Sequence, residues 1–321
     1  MTTLKELSHR EERFTGGHRL CAGCGAAIIA RQVLLAADGP VVVGNATGCL
    51  EVATTLYPYS SWKVPWIHNA FENVAATLSG VETAYRAFKD EGKLDKDFHF
   101  IAFGGDGGTY DIGLQALSGA LERGHKMLYI CYDNQAYMNT GIQRSSATPK
   151  GASTTTAPHG KLMPGKIHRR KDLTAIVAAH HIPYVAQAAP HNFMDLTRKV
   201  ERALAADGPS FINVLAPCHR GWRHASEDTL KVTRIAANTC FWPLYEIIDG
   251  VWKLNYKPKN KLPIEEWLTF QGRYSHLFKD GVTHELVAEI QADIDEDWEE
   301  LLIRCGELPP RECRDEGKKK T

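Results

Sequence analysis

Ile101-Ala102-Phe103-Gly104-Gly105-Asp106-Gly107-Gly108 joins an apolar run to a glycine-flanked carboxylate, and Cys131-Tyr132-Asp133-Asn134 answers it further along the chain. Phe98–Phe103 is short, apolar and aromatic and ends in glycines, the pattern of a buried strand. Beyond Asp111, Ile112, Leu114, Leu117 and Leu121 recur at near-helical spacing, so a helix follows. A strand, a glycine turn and a helix build an anion site at the carboxyl edge of a parallel sheet. Helix N–H groups and the helix dipole face the anion, and glycines let it come close. Asp106 would repel a diphosphate unless a divalent cation stood between them. Asn134, closing the next strand (Met127–Asp133), falls beside Asp106 if the sheet is parallel. Carboxylate, carboxamide, backbone carbonyl and diphosphate oxygens make a hard octahedral set suited to magnesium. A lone Gly-Asp-Gly is an ordinary turn; the strand, the helix and the Asp-Asn pair around this one point to a diphosphate.

The second constellation is sulfur. Cysteines stand at positions 21, 24, 49, 131, 218, 240, 305 and 313. Cys21 and Cys24 precede a helical run, Ala26–Ala37. Cys49 ends the small-residue turn after the strand Pro40–Val43, and Cys218 follows the strand Ser210–Leu215. These four sit at turns beside strand ends, which in a parallel sheet is one edge, the edge of Asp106. Four thiolates suit zinc or an iron–sulfur cluster. Structural zinc usually takes two close pairs, whereas here one pair joins two single cysteines, which favours a cluster. A thioredoxin-like pair and four unlinked buried thiols stay open as simpler readings. Cys131 reads as core; Cys240, Cys305 and Cys313 have no partner pattern. His18 and His68 read as hydrogen-bonded structural residues.

The elements that must position these groups alternate. After the helix beginning near Glu72 (Val74, Leu78, Val81, Tyr85) come a helix over Asp172–His180, a strand over Tyr184–Ala188 and a helix over Asn192–Ala206. Strand and helix in turn predict an α/β fold, an open, mostly parallel, doubly wound sheet. Residues 136–164 form a long polar, glycine-containing loop, which after such a strand reads as an active-site covering. The expected division is an α/β domain over 1–225 and an extension over 226–321. The latter carries a helix at Ser226–Cys240, a hairpin in Pro243–Tyr256 around Asp249-Gly250, helices at Ile264–Phe270 and Thr283–Ile303, and a polar tail. This extension is expected to pack on the sheet or on a partner chain. The 321 residues are 43% hydrophobic and 24% charged, with acids and bases balanced. That excludes nucleic acid or an anionic membrane as an electrostatic partner. A polar N-terminus and no long apolar run predict a cytoplasmic protein.

Taken together, the Gly-Asp-Gly unit resembles the diphosphate motif of thiamine diphosphate enzymes. GHRLCAGCG (17–25), NATGCLE (45–51), GGDGGTYDIGLQALSGALERGH (104–125), YDNQAYMNTGIQRS (132–145), APCHRGW (216–222), FWPLYE (241–246) and QGRYSHL (271–277) resemble the β subunits of the 2-oxoacid:ferredoxin oxidoreductase family, those acting on pyruvate above all. The resemblance spans nearly the whole chain. It implies that Asp106, Asn134 and the Ala136 carbonyl hold Mg2+ and that Gly48, Gly105, Gly107, Gly108, Tyr137 and Thr140 contact thiamine diphosphate. Asn139 would face the substrate side of that cofactor. Cys21, Cys24, Cys49 and Cys218 would hold one 4Fe–4S cluster. It further implies CoA-dependent, reversible oxidative decarboxylation of a 2-oxo acid by way of a thiamine-bound radical, electrons passing to the cluster and on to ferredoxin. The carboxylate that activates the aminopyrimidine would come from the α subunit, and γ and δ subunits, or fusions of them, would complete the complex. Oxalate, 2-oxoglutarate or branched-chain 2-oxo acids stay open as substrates. So do a non-redox thiamine lyase or carboligase and a non-catalytic electron-transfer subunit.

Overall fold

The computed structural model describes residues 2–281 and 283–311, so Cys313 lies outside the described residues. A parallel core is built from β1 (Val41–Ala46), β2 (Trp66–Asn69), β3 (His99–Gly105), β4 (Leu128–Asp133), β5 (Tyr184–Ala188) and β6 (Ser210–Leu215). An antiparallel hairpin, β7 (Tyr245–Ile248) and β8 (Val251–Leu254), joins its edge through β5. The sheet order is β2-β1-β3-β4-β6-β5-β7-β8. The hairpin expected in the C-terminal stretch is therefore part of the same sheet. Its turn, Asp249 and Gly250, takes positive φ at both residues (48° and 81°), the twist that two-residue hairpins need.

Strands buried on both faces read as unbroken apolar runs, and β4, β5 and β6 are buried at every residue. Alternate residues feed opposite faces. Val41, Val43, Ile101 and Phe103 pack with α2 (Gly25–Ala36) and α7 (Phe193–Ala205). Phe100 and Ala102 pack with α4 (Val74–Asp90), α5 (Leu114–Glu122) and α6 (Leu173–Ala178). The remaining helices are short α1 (Leu4–Ser8), α3 (Cys49–Thr54), α8 (His219–Trp222) and α10 (Glu265–Thr269), with longer α9 (Thr229–Asn238) and α11 (Leu286–Arg304). Side chains of α9 to α11 pack with Trp222 and Trp242 in a third core, and Leu301 of α11 reaches the α4–α5 side of the sheet. Among the described residues, no helix is long and apolar enough to cross a membrane.

Chain order and space order part at two places. β1 leads outward to β2, and the chain returns to lay β3 on the other side of β1; β4 is followed by β5, yet β6 lies between them. At the first of these places the connections leaving β1 and β3 run in opposite directions and leave a crevice at the carboxyl ends of the strands. The first gap takes the turns after β1 and β3. The connections leaving β4 and β6 both run toward the β5–β7 side. β2 was not expected from the sequence: four residues with Pro65 before them and a single strand neighbour carry little pattern.

Candidate functional site

Asp106 caps a wide π turn, Gly107–Ile112, that feeds α5 through Gly113, where a Cβ would fall 2.1 Å from the Gly108 carbonyl oxygen. Register pairs Gly105 with Tyr132, so the ends of β3 and β4 lie side by side and Asn134 reaches Asp106. The Asn134 N–H donates to Asp106 Oδ1 (3.2 Å), and Ser145 Oγ donates to Oδ2 (2.5 Å). The Asn134 side-chain oxygen then lies 2.9 Å from Asp106 Oδ1 and 2.8 Å from the Ala136 carbonyl oxygen, three acceptors with no hydrogen among them. Turning the amide over would let it donate to both neighbours. Oxygens about 2.1 Å from one Mg2+ stand about 3.0 Å apart along an octahedral edge, so the set fits that ion as it stands.

Asp106 is buried. Burial first, and then the nearby Asp133 charge, holds its carboxyl well above the ordinary range. Asp133 accepts from Tyr110 OH (2.7 Å), Arg170 Nη2 (2.7 Å) and the Gln135 N–H (3.0 Å). Burial still pushes its carboxyl up, against the pull of Arg170. Arg170 in turn lies over the Trp242 ring at 4.5 Å. Arg170→Met strands a fully buried carboxylate, and a loss of about 3–5 kcal/mol is expected in denaturant unfolding. Adding Asp133→Asn should recover most of that loss; no recovery would mean that packing on Trp242, not charge, is what Arg170 supplies.

Around the three oxygens a single crevice collects Gly48 and Cys49 from beyond β1 and Gly105, Asp106, Gly107 and Gly108 from β3. From beyond β4 it takes Asn134, Ala136, Tyr137, Asn139 and Thr140. Every cofactor-contacting residue expected from the sequence thus lines one space, with Asn139 and Thr140 exposed at its mouth. Phe71, Tyr132 and Met138 add apolar wall that the sequence did not flag. Tyr137 OH donates to the Gly107 carbonyl (3.1 Å), Thr148 Oγ1 to that of Gln135 (2.7 Å), and the Ser146 N–H to Asp111 Oδ2 (3.0 Å). The long loop therefore folds over the glycine turn. Buried Lys166 holds the loop's Ser146 carbonyl (3.2 Å), and burial pulls its ammonium down to about 8.

The cysteines approach along the same edge. Cys24 and Cys218 stand at the N-caps of α2 and α8, and Cys49 is the first residue of α3, positions where helix N–H groups favour thiolates. The Gly25 N–H donates to the Pro217 carbonyl (3.1 Å), where a Cβ on Gly25 would lie 2.8 Å from Pro217, so glycine brings Cys24 against Cys218. Thr229 Oγ1 donates to the Gly23 carbonyl (2.6 Å), tying the Cys21–Cys24 turn to the chain beyond α8. Burial pushes the thiols of Cys24 and Cys49 up to about 11 and about 12, and the charges of neighbouring thiols add to it. Among the described residues no three His, Cys, Asp or Glu side chains are gathered for a single metal ion. The charges of Cys21, Cys24 and Cys218 nonetheless act on Cys49. Cys131 is core, as expected. His68 Nδ1 pairs with Glu51 (2.7 Å), as expected, whereas His18 is not held as expected: it stacks on Phe14, and its buried Nδ1 has no hydrogen-bond partner among the described residues.

Two residues without a role in the sequence join the halves. Trp222 Nε1 donates to the Asn134 carbonyl (2.8 Å), so the one-turn helix that starts at Cys218 also holds the strand end bearing the converging oxygens. Arg273, from QGRYSHL, lies buried over Trp222 at 4.3 Å and donates to Gln135 Oε1 (2.5 Å). A roomier cavity, about 370 Å3, lies under α11 between Arg170, Trp252 and Trp298. It holds neither the glycine turn nor the four thiols, so chemistry rather than size locates the site.

Residues 43–214, from β1 to the end of β6, match the family model described as thiamine pyrophosphate enzyme, C-terminal TPP binding domain. The chain is 54% identical over 303 residues to pyruvate synthase subunit PorB of Thermotoga maritima, covering 93% of this chain and 94% of that protein. Against the same subunit of Methanocaldococcus jannaschii it is 55% identical over 289 residues, covering 89% and 95%. Ketoisovalerate oxidoreductase subunit VorB of Pyrococcus abyssi is 43% identical, covering 91% and 93%. Among solved structures, 2-oxoglutarate:ferredoxin oxidoreductase from Magnetococcus marinus, with 2-oxoglutarate, coenzyme A and succinyl-CoA bound, shares the fold. Its TM-score is 0.54 at 18% identity, over 65% of this chain and 69% of that one. The thiamine pyrophosphate domain between β1 and β6, and relatives matched along nearly their full length, make this chain a member of the pyruvate synthase subunit PorB family of 2-oxoacid:ferredoxin oxidoreductases.

Proposed function

We propose that this β subunit takes part in the reversible, CoA-dependent oxidative decarboxylation of pyruvate in the cytoplasm, with ferredoxin as electron acceptor. Asp106, Asn134 and the Ala136 carbonyl would hold Mg2+, and the Gly105–Gly108 turn would take the diphosphate of thiamine diphosphate. Cys21, Cys24, Cys49 and Cys218 hold a 4Fe–4S cluster. The observation that carries this reading is the convergence of three acceptor oxygens at a helix start, one strand away from four thiols. When bound, thiamine diphosphate supplies carbanion chemistry on a 2-oxo acid, and the cluster supplies a one-electron exit.

The chain's own residues bind and orient. Ser145 occupies Asp106 Oδ2, which leaves Oδ1 turned toward the other two oxygens. Tyr137 fixes the Gly107 carbonyl at the edge of the crevice. Phe71 and Met138 exclude water from it, and Asn139 presents a carboxamide at the mouth, on the substrate side. The α subunit closes that mouth and supplies the carboxylate that moves the aminopyrimidine proton; γ and δ subunits complete the complex. Identities of 54% and 55% to pyruvate synthase subunits favour pyruvate, and the 43% match to a ketoisovalerate oxidoreductase subunit makes branched-chain 2-oxo acids the second reading.

Purified without air with its partner subunits, the complex should hold about four iron and four acid-labile sulfide assignable to this chain, together with bound thiamine diphosphate. It should reduce ferredoxin faster with pyruvate than with 2-oxoisovalerate. Zinc in place of iron, or iron without thiamine, would overturn the cofactor reading; the reverse order of substrates would overturn pyruvate alone.

A further inference from the structure

Tyr132 begins on β4, opposite Gly105, and its ring runs across β3 toward the end of β1. A Cβ on Gly105 would lie 3.3 Å from the ring, and one on Gly48 would lie 2.6 Å from the hydroxyl. Two glycines thus clear a path for one side chain that spans the strand between the two divergent turns. The residue is 1% exposed; the Leu50 N–H faces its hydroxyl oxygen, and among the described residues the hydroxyl proton has no acceptor. A buried hydroxyl proton without an acceptor is costly unless a further group accepts from it.

What lies next to it is Cys49, the residue after Gly48, in the same crevice. The thiols here are not equally provided for. Cys218 accepts from the Gly221 N–H (3.4 Å), and backbone N–H groups of Ala26 and Ala27 act on Cys24. Among the described residues no hydrogen bond reaches the Cys49 sulfur. The sulfur short of a donor and the donor short of an acceptor are neighbours.

We propose that the Tyr132 hydroxyl donates a hydrogen bond to the Cys49 sulfur once the cluster is in place, and so holds up the cluster's reduction potential. This rests on the cluster reading above. Reduction adds negative charge to the cluster and its sulfurs, so a donor there stabilises the reduced state more than the oxidised one. Tyr132 is a positioning and tuning residue in this assignment: it takes no proton and forms no bond to substrate.

The test uses the anaerobically purified complex and Tyr132→Phe, which removes one oxygen and keeps the ring between the two glycines. Iron content should match the parent, while the reduction equilibrium constant, read by potentiometric titration with EPR detection, should fall about tenfold, or 59 mV for one electron. In the parent complex the Fe–S(Cys) stretch in resonance Raman spectra should shift in D2O, and part of that shift should vanish in the variant. A full iron complement with unchanged potential and unchanged D2O sensitivity overturns the proposal and leaves the cluster standing. A parent complex without iron overturns the cluster reading itself, and this proposal with it. The D2O measurement on the parent alone decides the matter should the variant assemble poorly: no deuterium sensitivity would overturn it.

Discussion

Asp106→Asn is expected to abolish magnesium-dependent binding of thiamine diphosphate, by about a hundredfold or more in affinity, while leaving the cofactor-free chain at least as stable as the parent. The two halves of this result have one cause. Burial and the charge of Asp133 raise the Asp106 carboxyl well above its ordinary range. A carboxyl raised on folding favours the fold at pH values below its unfolded pKa, and that contribution is lost as pH climbs through the folded value. At neutral pH the ionised form is therefore a cost that a divalent cation offsets, and the neutral amide avoids it. Asn keeps an oxygen for the Asn134 N–H, and its amide can donate to Ser145 Oγ, so the loop need not open. The same shift makes Mg2+ compete with a proton, so affinity should weaken as pH falls. Calorimetric titration of the complex with Mg2+ and thiamine diphosphate, beside thermal unfolding in chelator, reads both effects. Binding within about threefold of the parent would remove Asp106 from the metal, since second-shell losses already reach tenfold.

Cys49→Ala should have the largest effect on electron flow. Three thiols cannot satisfy four irons, so iron per chain and the broad visible absorbance should collapse and ferredoxin reduction should fall about a thousandfold or more. The fold has little to lose: Cys49 opens α3, where alanine is a good helix former, and its thiol is costly to ionise, being pushed up to about 12. Thiamine diphosphate should remain bound, because Gly48, whose extended backbone lines the crevice, is untouched. A variant with full iron would show that Cys49 is a buried thiol and no ligand. A variant that lost thiamine as well would show that the turn after β1 is held together by sulfur rather than by its own backbone.

The glycine turn and the Asp-Asn pair were legible because their information is local. Strand, glycines and helix stand in one short run, and a parallel sheet then puts equivalent strand ends side by side. Cys49 and Cys218 were legible for the same reason, each just beyond a strand end, and Cys21 and Cys24 as a close pair in one turn before α2. The partners of those groups were not. Ser145 meets Asp106 across 39 residues, Arg170 meets Asp133 across 37, Trp222 meets Asn134 across 88 and Arg273 meets Gln135 across 138. Nothing in the residue types announces such contacts; an arginine in a polar stretch reads as surface until the fold lays it over Trp222 or Trp242. β2 escaped for a different reason, since an edge strand of four half-exposed residues has hardly any period to detect.

The wide turn at Gly107–Ile112 has a consequence for how this region can change over evolutionary time. A π turn holds one residue more than the α turn it interrupts, and such turns are what single-residue insertions into helices leave behind. Deleting any one residue between Thr109 and Gly113 without tightening the turn would rotate everything after it by about 100°. Leu117, Ala120 and Leu121 would then leave the sheet, or, if they held, the Asp106 carboxylate would swing away from Asn134. Point substitutions can be absorbed here one at a time; a change of length is absorbed only by giving up the wide turn itself, so the distance in residues from Asp106 to α5 is as much a part of the site as the aspartate itself.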